Sequence, residues 1–237
     1  MDSVKSWRRR LRVSIELLAA VLALAFAHAV DAQPADAGPH DHVGTQATDA
    51  SARGAARLDA FLSGVHSLTA DFKQETYGAD GRVVESDAGT LSLARPNRFR
   101  WSQAPPRELV VVADGKKLWT YDVDIAQVTV APLDETVASS PAMLLSGDRD
   151  VRDGFDVVQA ETRDGLEWVK LVPKAASDFK SMSIGFEGKS PRRLELVDGL
   201  NEVTRIALTN VVVNPELGDG AFEFKVPAGA DVIGDPG

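Results

Sequence analysis

Between Gly89 and Ser102 the chain alternates. Leu91, Leu93 and Arg95, then Phe99 and Trp101, fall on one parity, while Thr90, Ser92, Arg98, Arg100 and Ser102 fall on the other. A helix would place its apolar residues three and four apart, so a period of two predicts half-buried strands. Pro96-Asn97 interrupts the pattern and suits a tight turn, proline fixing φ at the first corner position and asparagine tolerating the next. The stretch therefore reads as a hairpin with one oily and one polar face. Arg95 is the exception on the oily face. A guanidinium against apolar surface costs several kcal/mol, roughly, unless hydrogen-bonded. It must reach a rim or find acceptors, such as backbone carbonyls at a helix end.

The same periodicity recurs along the chain. Thr69 to Thr76 alternates, with Ala70 and Phe72 opposed by Asp71 and Lys73, and Gly78 to Gly81 makes a turn. Pro105-Pro106 interrupts pairing after the central hairpin. Leu109 to Ala113 is nearly continuous apolar sequence, and Asp114-Gly115 signals a type I′ hairpin. Leu118 to Asp122 and Gln127 to Val130 follow. Trp119 and Tyr121 share one face of their strand, Leu118 and Thr120 the other, which predicts core on one side and a helix or ligand on the other. Further alternating stretches surround Trp168–Val172, Met182–Phe186, Leu194–Leu196 and Phe222–Val226, with a longer strand at Val203–Val213. Short strands at regular spacing predict an antiparallel barrel or sandwich. The tail after Pro227 reads as loose.

Two helices interrupt the strands. Leu58, Phe61, Leu62 and Val65 form an apolar stripe within residues 51–66. Ser140 to Gly147 carries its own ends: Ser140 caps, Pro141 suits the first helical position, and Gly147 suits a left-handed stop. Met143, Leu144 and Leu145 are consecutive, so this short helix is apolar nearly all round. It is either a core helix or a lid over an oily space.

The first 32 residues read as a secretory signal peptide. Lys5, Arg8, Arg9, Arg10 and Arg12 precede an apolar run from Leu17 to Ala27, and Ala27-His28-Ala29 and Val30-Asp31-Ala32 are small-residue cleavage sites. The run falls short of the roughly 20 residues of a membrane span. The arginine pairs also admit twin-arginine export. Cleavage would leave 21 basic and 32 acidic residues, a net charge of −11. That balance argues against nucleic acid and anionic lipid surfaces as partners. Residues 33–50 lack large apolar side chains and read as a disordered arm. In it, His40 and His42 flank Asp41 with Asp36 nearby; a solvated tail explains them better than a metal site. The remaining 51–237 reads as a single domain.

Chemistry is constrained by what the sequence lacks. The 237 residues contain no cysteine, which removes disulfides, a thiolate nucleophile or metal site, and a lipid-anchored N-terminal cysteine. No G-x-S-x-G elbow, H-E-x-x-H, phosphate loop or dinucleotide fingerprint is present. His66, at the end of the first helix, reads as a capping residue. Enzymatic activity, metals and cofactors are not expected.

The sequence RPNRFRW, the run LVVVADGKKLWTYD, QVTV and SPAMLLSG occur in this order. Together, behind a signal peptide, they resemble the outer-membrane lipoprotein carrier family, LolA, from about Ala55 to about Val232. The resemblance implies an unclosed antiparallel β-barrel, mainly β in class, with a helical lid over a hydrophobic cavity. It implies a periplasmic chaperone that takes acylated lipoproteins from an ATP-driven inner-membrane release complex (LolCDE-like). The carrier shields their acyl chains and passes them to an outer-membrane receptor (LolB-like), working as a monomer. Leu91, Leu93, Phe99, Trp101, Val110, Val112, Trp119 and Tyr121 would line the cavity and its mouth. Leu58, Phe61, Leu62, Val65, Pro141, Met143, Leu144 and Leu145 would form the lid, and Arg95 would lock it through helix carbonyls. Ala142 departs from the family, where larger apolar residues are common at this place, so the cavity shape is expected to differ. The competing reading is a LolA-like lipoprotein sensor in envelope-stress regulation. Such sensors carry a further domain and a membrane anchor, for which this length leaves no room.

Overall fold

The computed structural model describes residues 43–133, 141–147, 154–175, 177 and 179–236. Helix α1 (Val43–Gly64) leads into β1 (Ser67–Tyr77), β2 (Val83–Ala94), β3 (Arg98–Gln103), β4 (Leu109–Asp114), β5 (Lys117–Asp122) and β6 (Gln127–Pro132). Helix α2 (Pro141–Ser146) then precedes β7 (Phe155–Arg163), β8 (Leu166–Pro173), β9 (Phe179–Glu187), β10 (Ser190–Asp198), β11 (Val203–Val213) and β12 (Asp231–Ile233). All twelve strands form one sheet in the order β12-β6-β5-β4-β3-β2-β1-β11-β10-β9-β8-β7. Two meanders thus meet where β1 pairs with β11. The order begins at β12 and ends at β7, and among the described residues these two edges do not pair, so the barrel is unclosed. Every neighbouring pair is antiparallel except β12 and β6, which run parallel.

The central hairpin forms as its parity predicts. Leu91 faces Trp101 and Leu93 faces Phe99 across β2 and β3. The turn has a cis Arg95–Pro96 bond, and Asn97 takes φ 55°. In the β4–β5 turn only Gly115 of the two central residues has positive φ, at 96°. That is the pattern of a type II′ turn, not the expected type I′.

Helix α1 is longer than the apolar stripe suggests. It begins at Val43, so residues 43–50, expected in the arm, are helical. Its N-terminal half is held by close approach more than by large side chains. A Cβ on Gly54 would stand 2.8 Å from Val157 Cγ1 of β7, and Ser51 Oγ donates to the Val158 carbonyl at 3.3 Å. Small residues permit this contact but leave no apolar stripe to read. The signal segment, Asp36, His40, Asp41, His42, Ser139 and Ser140 lie outside the described residues.

The main core joins both helices to the inner face of the sheet. It includes Leu58, Phe61, Leu62 and Val65 of the α1 region, Ala142 to Leu145 of α2, and Leu91, Leu93 and Phe99 of the hairpin. A second cluster, Val112, Trp119, Val128 and Val130, lies on the opposite face. The segment after β11 covers it. Phe224 stacks on Trp119 with centroids 5.3 Å apart and tilts against Tyr121. Phe222–Val226, expected as a strand, does not enter the sheet: Phe222 ends a turn, and the residues after it pair with no strand. Its carbonyls are bound by a side chain: Arg100 donates from Nε to Ala221 O at 2.9 Å and from Nη2 to Glu223 O at 2.6 Å. The tail after Pro227 is not loose either, since Asp231–Ile233 pairs with Gln127–Thr129. Gly234, with φ +103°, lets the chain pass Val130 where a Cβ would meet its carbonyl oxygen at 2.1 Å.

Candidate lipid-carrying site

Arg95 ties the ends of both helices to the turn of the central hairpin. Its Nε donates to Val65 O at 2.7 Å, one residue past α1, and its Nη1 donates to Gly147 O, one residue past α2. Its guanidinium lies over the Phe61 ring at 4.9 Å. These are carbonyls at helix ends that lack internal partners, so a half-buried cation and unpaired acceptors satisfy each other. Backbone bonds complete the junction: Arg95 N donates to His66 O at 2.8 Å, and Asn97 N to Ser146 O at 2.9 Å. Gly147 N closes α2 onto Met143 O at 2.7 Å.

Asn214, which the sequence reading did not single out, supports the same end of α1. Its Oδ1 accepts from His66 N at 2.7 Å and its Nδ2 donates to Gly64 O at 3.0 Å. His66 thus contributes its backbone to the junction, where capping was expected of it. Asn214-Pro215 is a recognisable turn signal, but nothing in the sequence ties it to a helix about 150 positions earlier. Arg57 was also missed as an anchor. It lies over the Phe186 ring at 4.1 Å, pairs with Glu167 at 2.9 Å and donates to Gly188 O, pinning α1 to β8 and to the β9–β10 turn.

The eight residues assigned to one cavity fall on two faces. Leu91, Leu93 and Phe99 are buried in the main core, and Trp101 packs against it. Val112 and Trp119 belong to the outer cluster, with Val110 and Tyr121 packed on it. Register explains the split. Trp101 faces Val111 and Phe99 faces Ala113, so the inner parity continues through Val111, Ala113 and Leu118. The Val110–Val112 run offers an apolar side chain to either face, and the aromatic rings of β5 draw the eye to the wrong one. The lid residues are placed together: Leu58, Phe61, Leu62, Val65, Met143, Leu144 and Leu145 are all buried against the inner face. Pro141 is the first residue of α2.

The inner face changes character along its length. Beyond Phe72 and Trp101 it carries Asp87 and Glu85, both bound by the forked guanidinium of Arg107. Burial is the largest influence on Glu85 and raises its pKa, with Arg107 opposing and Asp87 reinforcing the shift. On the outer side, Asp114 loses solvation, but hydrogen bonds from Trp119 Nε1 and the backbone of Lys117 and Lys116 outweigh that and lower its pKa. A shallow outer pocket of about 370 Å³ lies between Arg98, Asp114 and Asp219–Lys225 residues such as Phe222 and Glu223. Its mixed charged lining does not suit an acyl chain. Among the described residues no group of three or more His, Asp or Glu is placed to hold a metal. No described helix is long and apolar enough to cross a membrane.

An open sheet with an apolar inner face and two helices packed over it, the ends of both tied by Arg95, is an unclosed barrel under a helical lid. The comparisons place it in a family. The family model described as "Outer membrane lipoprotein carrier protein LolA" matches residues 63–225. The outer-membrane lipoprotein carrier protein of Bordetella avium is 39% identical over 178 residues, covering 75% of this chain and 85% of that one. Its counterpart in Methylobacillus flagellatus is 38% identical over 185 residues, covering 78% and 90%. The chain belongs to the LolA family. Among solved structures, a LolA-superfamily protein from Nitrosomonas europaea aligns with a TM-score of 0.44 at 11% identity, covering 74% of this chain and 97% of that one.

Proposed function

We propose that this protein is a periplasmic carrier of lipoproteins, which binds their acyl chains between the helical lid and the inner face of the sheet and catalyses no reaction. The carrying observation is the Arg95 junction, in which one side chain holds the ends of both helices over an apolar face. Each buried methylene is worth roughly 0.8 kcal/mol, so leaving one long acyl chain in water costs on the order of 10 kcal/mol. Lifting the lid exchanges side-chain contacts for acyl contacts and breaks the Arg95 bonds, at a cost of a few kcal/mol, roughly. That cost lowers the population of the binding-competent form and weakens retention in proportion. Cargo is then held firmly enough for transit and loosely enough for delivery.

In this reading residues 1–32 are a cleaved export signal and 33–42 lead into α1. The protein acts as a monomer between an ATP-driven release complex in the inner membrane and a receptor in the outer membrane. Leu91, Leu93, Phe99 and Trp101 contact cargo; Val110, Val112, Trp119 and Tyr121, on the far face, do not. The test adds purified residues 33–237 to spheroplasts of the same organism. Lipoproteins appearing in the soluble fraction as complexes with the protein support the carrier reading. Their absence, with a competent release complex present, refutes it.

A further inference from the structure

The apolar surface under the lid ends abruptly. Along β1 and β2, Leu68 pairs with Leu93, Ala70 with Leu91 and Phe72 with Gly89. One step further on the same face come Gln74 beside Asp87 and Thr76 beside Glu85. The last apolar step is built in an unusual way. A Cβ on Gly89 would stand 2.8 Å from the Phe72 ring, so the glycine lets that ring lie across β2. There it stacks on Trp101 with centroids 3.7 Å apart and planes 25° from parallel. Behind this pair Asp87, whose side chain is 2% exposed, accepts from Arg107 Nη2 at 2.5 Å. A methylene chain pushed past the two rings would strip solvent or partners from charged groups and return no hydrogen bond.

At the opposite end of the face the surroundings are wet. His66, Pro96 and Arg98 around the Arg95 junction are exposed. A polar group emerging there reaches water without crossing the protein.

We infer that the Phe72–Trp101 pair is the end stop of the acyl site. The chain enters from the Arg95 end, keeps its polar head there, and rests its methyl terminus against the stacked rings. The inference rests on the carrier reading and assigns that site a direction and a length. Trp101, which the resemblance implied only as a residue of the cavity or its mouth, is thereby assigned to the far wall.

The test uses residues 33–237 and stearic acids brominated near the carboxylate, at mid-chain or near the methyl end, since bromine quenches tryptophan at close range. Trp101→Phe keeps a ring in the stack and identifies the share of quenching due to Trp101. The stop predicts that this share is greatest with bromine near the methyl end. Strongest quenching from the carboxylate end, or none that depends on position, overturns it. Binding itself is read separately by displacement of a fluorescent fatty acid, so that failure to bind any chain would reject the carrier reading and the stop with it. A saturated chain-length series adds a second reading. Affinity is expected to rise about fourfold per methylene and then level off, with the plateau displaced to longer chains in Phe72→Ala. A plateau that stays in place in a folded Phe72→Ala variant also contradicts the stop.

Discussion

The two faces of β3–β5 are both apolar and both covered, yet they are covered in different ways. On the outer face the chain's own C-terminal segment lies on Trp119 and Tyr121, fixed by Arg100 through two main-chain carbonyls and by the β12 ladder. On the inner face the cover is two helices whose ends meet the sheet at Arg95. The first cover ends as a strand of the sheet, whereas the second consists of helices outside the ladder: Arg95 ties the ends of both, and α1 is held further by Arg57 and by its close approach to β7. Burial alone therefore does not tell the two faces apart; the kind of cover does, and the proposed carrier reading puts the acyl chains under the helices.

The difference can be broken most severely from inside. Gly89→Ala would place a Cβ 2.0 Å from Ser102 O and 2.8 Å from Phe72, contacts that backbone cannot relieve. A loss of about 3 kcal/mol or more in denaturant unfolding is expected. On the outer face, Phe224→Ala removes the ring stacked on Trp119 and should cost about 2 kcal/mol. Acyl binding by the folded protein should be unchanged, because the proposed acyl site lies on the other face. An equal loss of binding would erase the distinction between the faces.

A smaller effect sharpens the contrast through pH. Asp114 is stabilised in its charged form by Trp119 and the turn amides. Its contribution is present above the ordinary aspartate pKa and is lost as pH falls through its lowered native value. Asp114→Asn should lose about 1 kcal/mol near neutral pH and much less in acid. Glu85 has the opposite sign. With its native pKa raised by burial, its charged form penalises folding above that value, and the penalty is relieved as pH falls toward the ordinary glutamate range. Glu85→Gln should remove that acid-side gain in stability, measured as unfolding free energy against pH.

Much of this was legible in the sequence where one face was apolar and the other polar. Leu91, Leu93, Phe99 and the misplaced Arg95 declared the inner face and its rim by parity alone. Legibility failed where both faces were apolar. Val110, Val111 and Val112 fit either side, so Trp119 and Tyr121 were read inward although register turns them outward. It failed again where alternation did not mean pairing. Phe222 and Phe224 alternate with charged residues as a strand would, but a distant arginine takes the carbonyls that a neighbouring strand would have used. The N-terminal half of α1 escaped because Gly54 and Ser51 hold it by closeness, which leaves no hydrophobic stripe. Asn214 was hidden because its partners lie at the other end of the chain.

The most direct measurement follows a lipoprotein passing from this carrier to the outer-membrane receptor of the same organism, with wild type and Arg95→Leu compared. The variant should fold, since leucine suits the apolar wall and removes the need for acceptors. It should also lose the hydrogen bonds that favour the closed lid. If these are worth about 2 kcal/mol, cargo is retained about thirtyfold more tightly, and transfer slows by a comparable factor. Transfer at the wild-type rate by a folded variant would contradict the account, leaving Arg95 a structural tie and the lid without a lock.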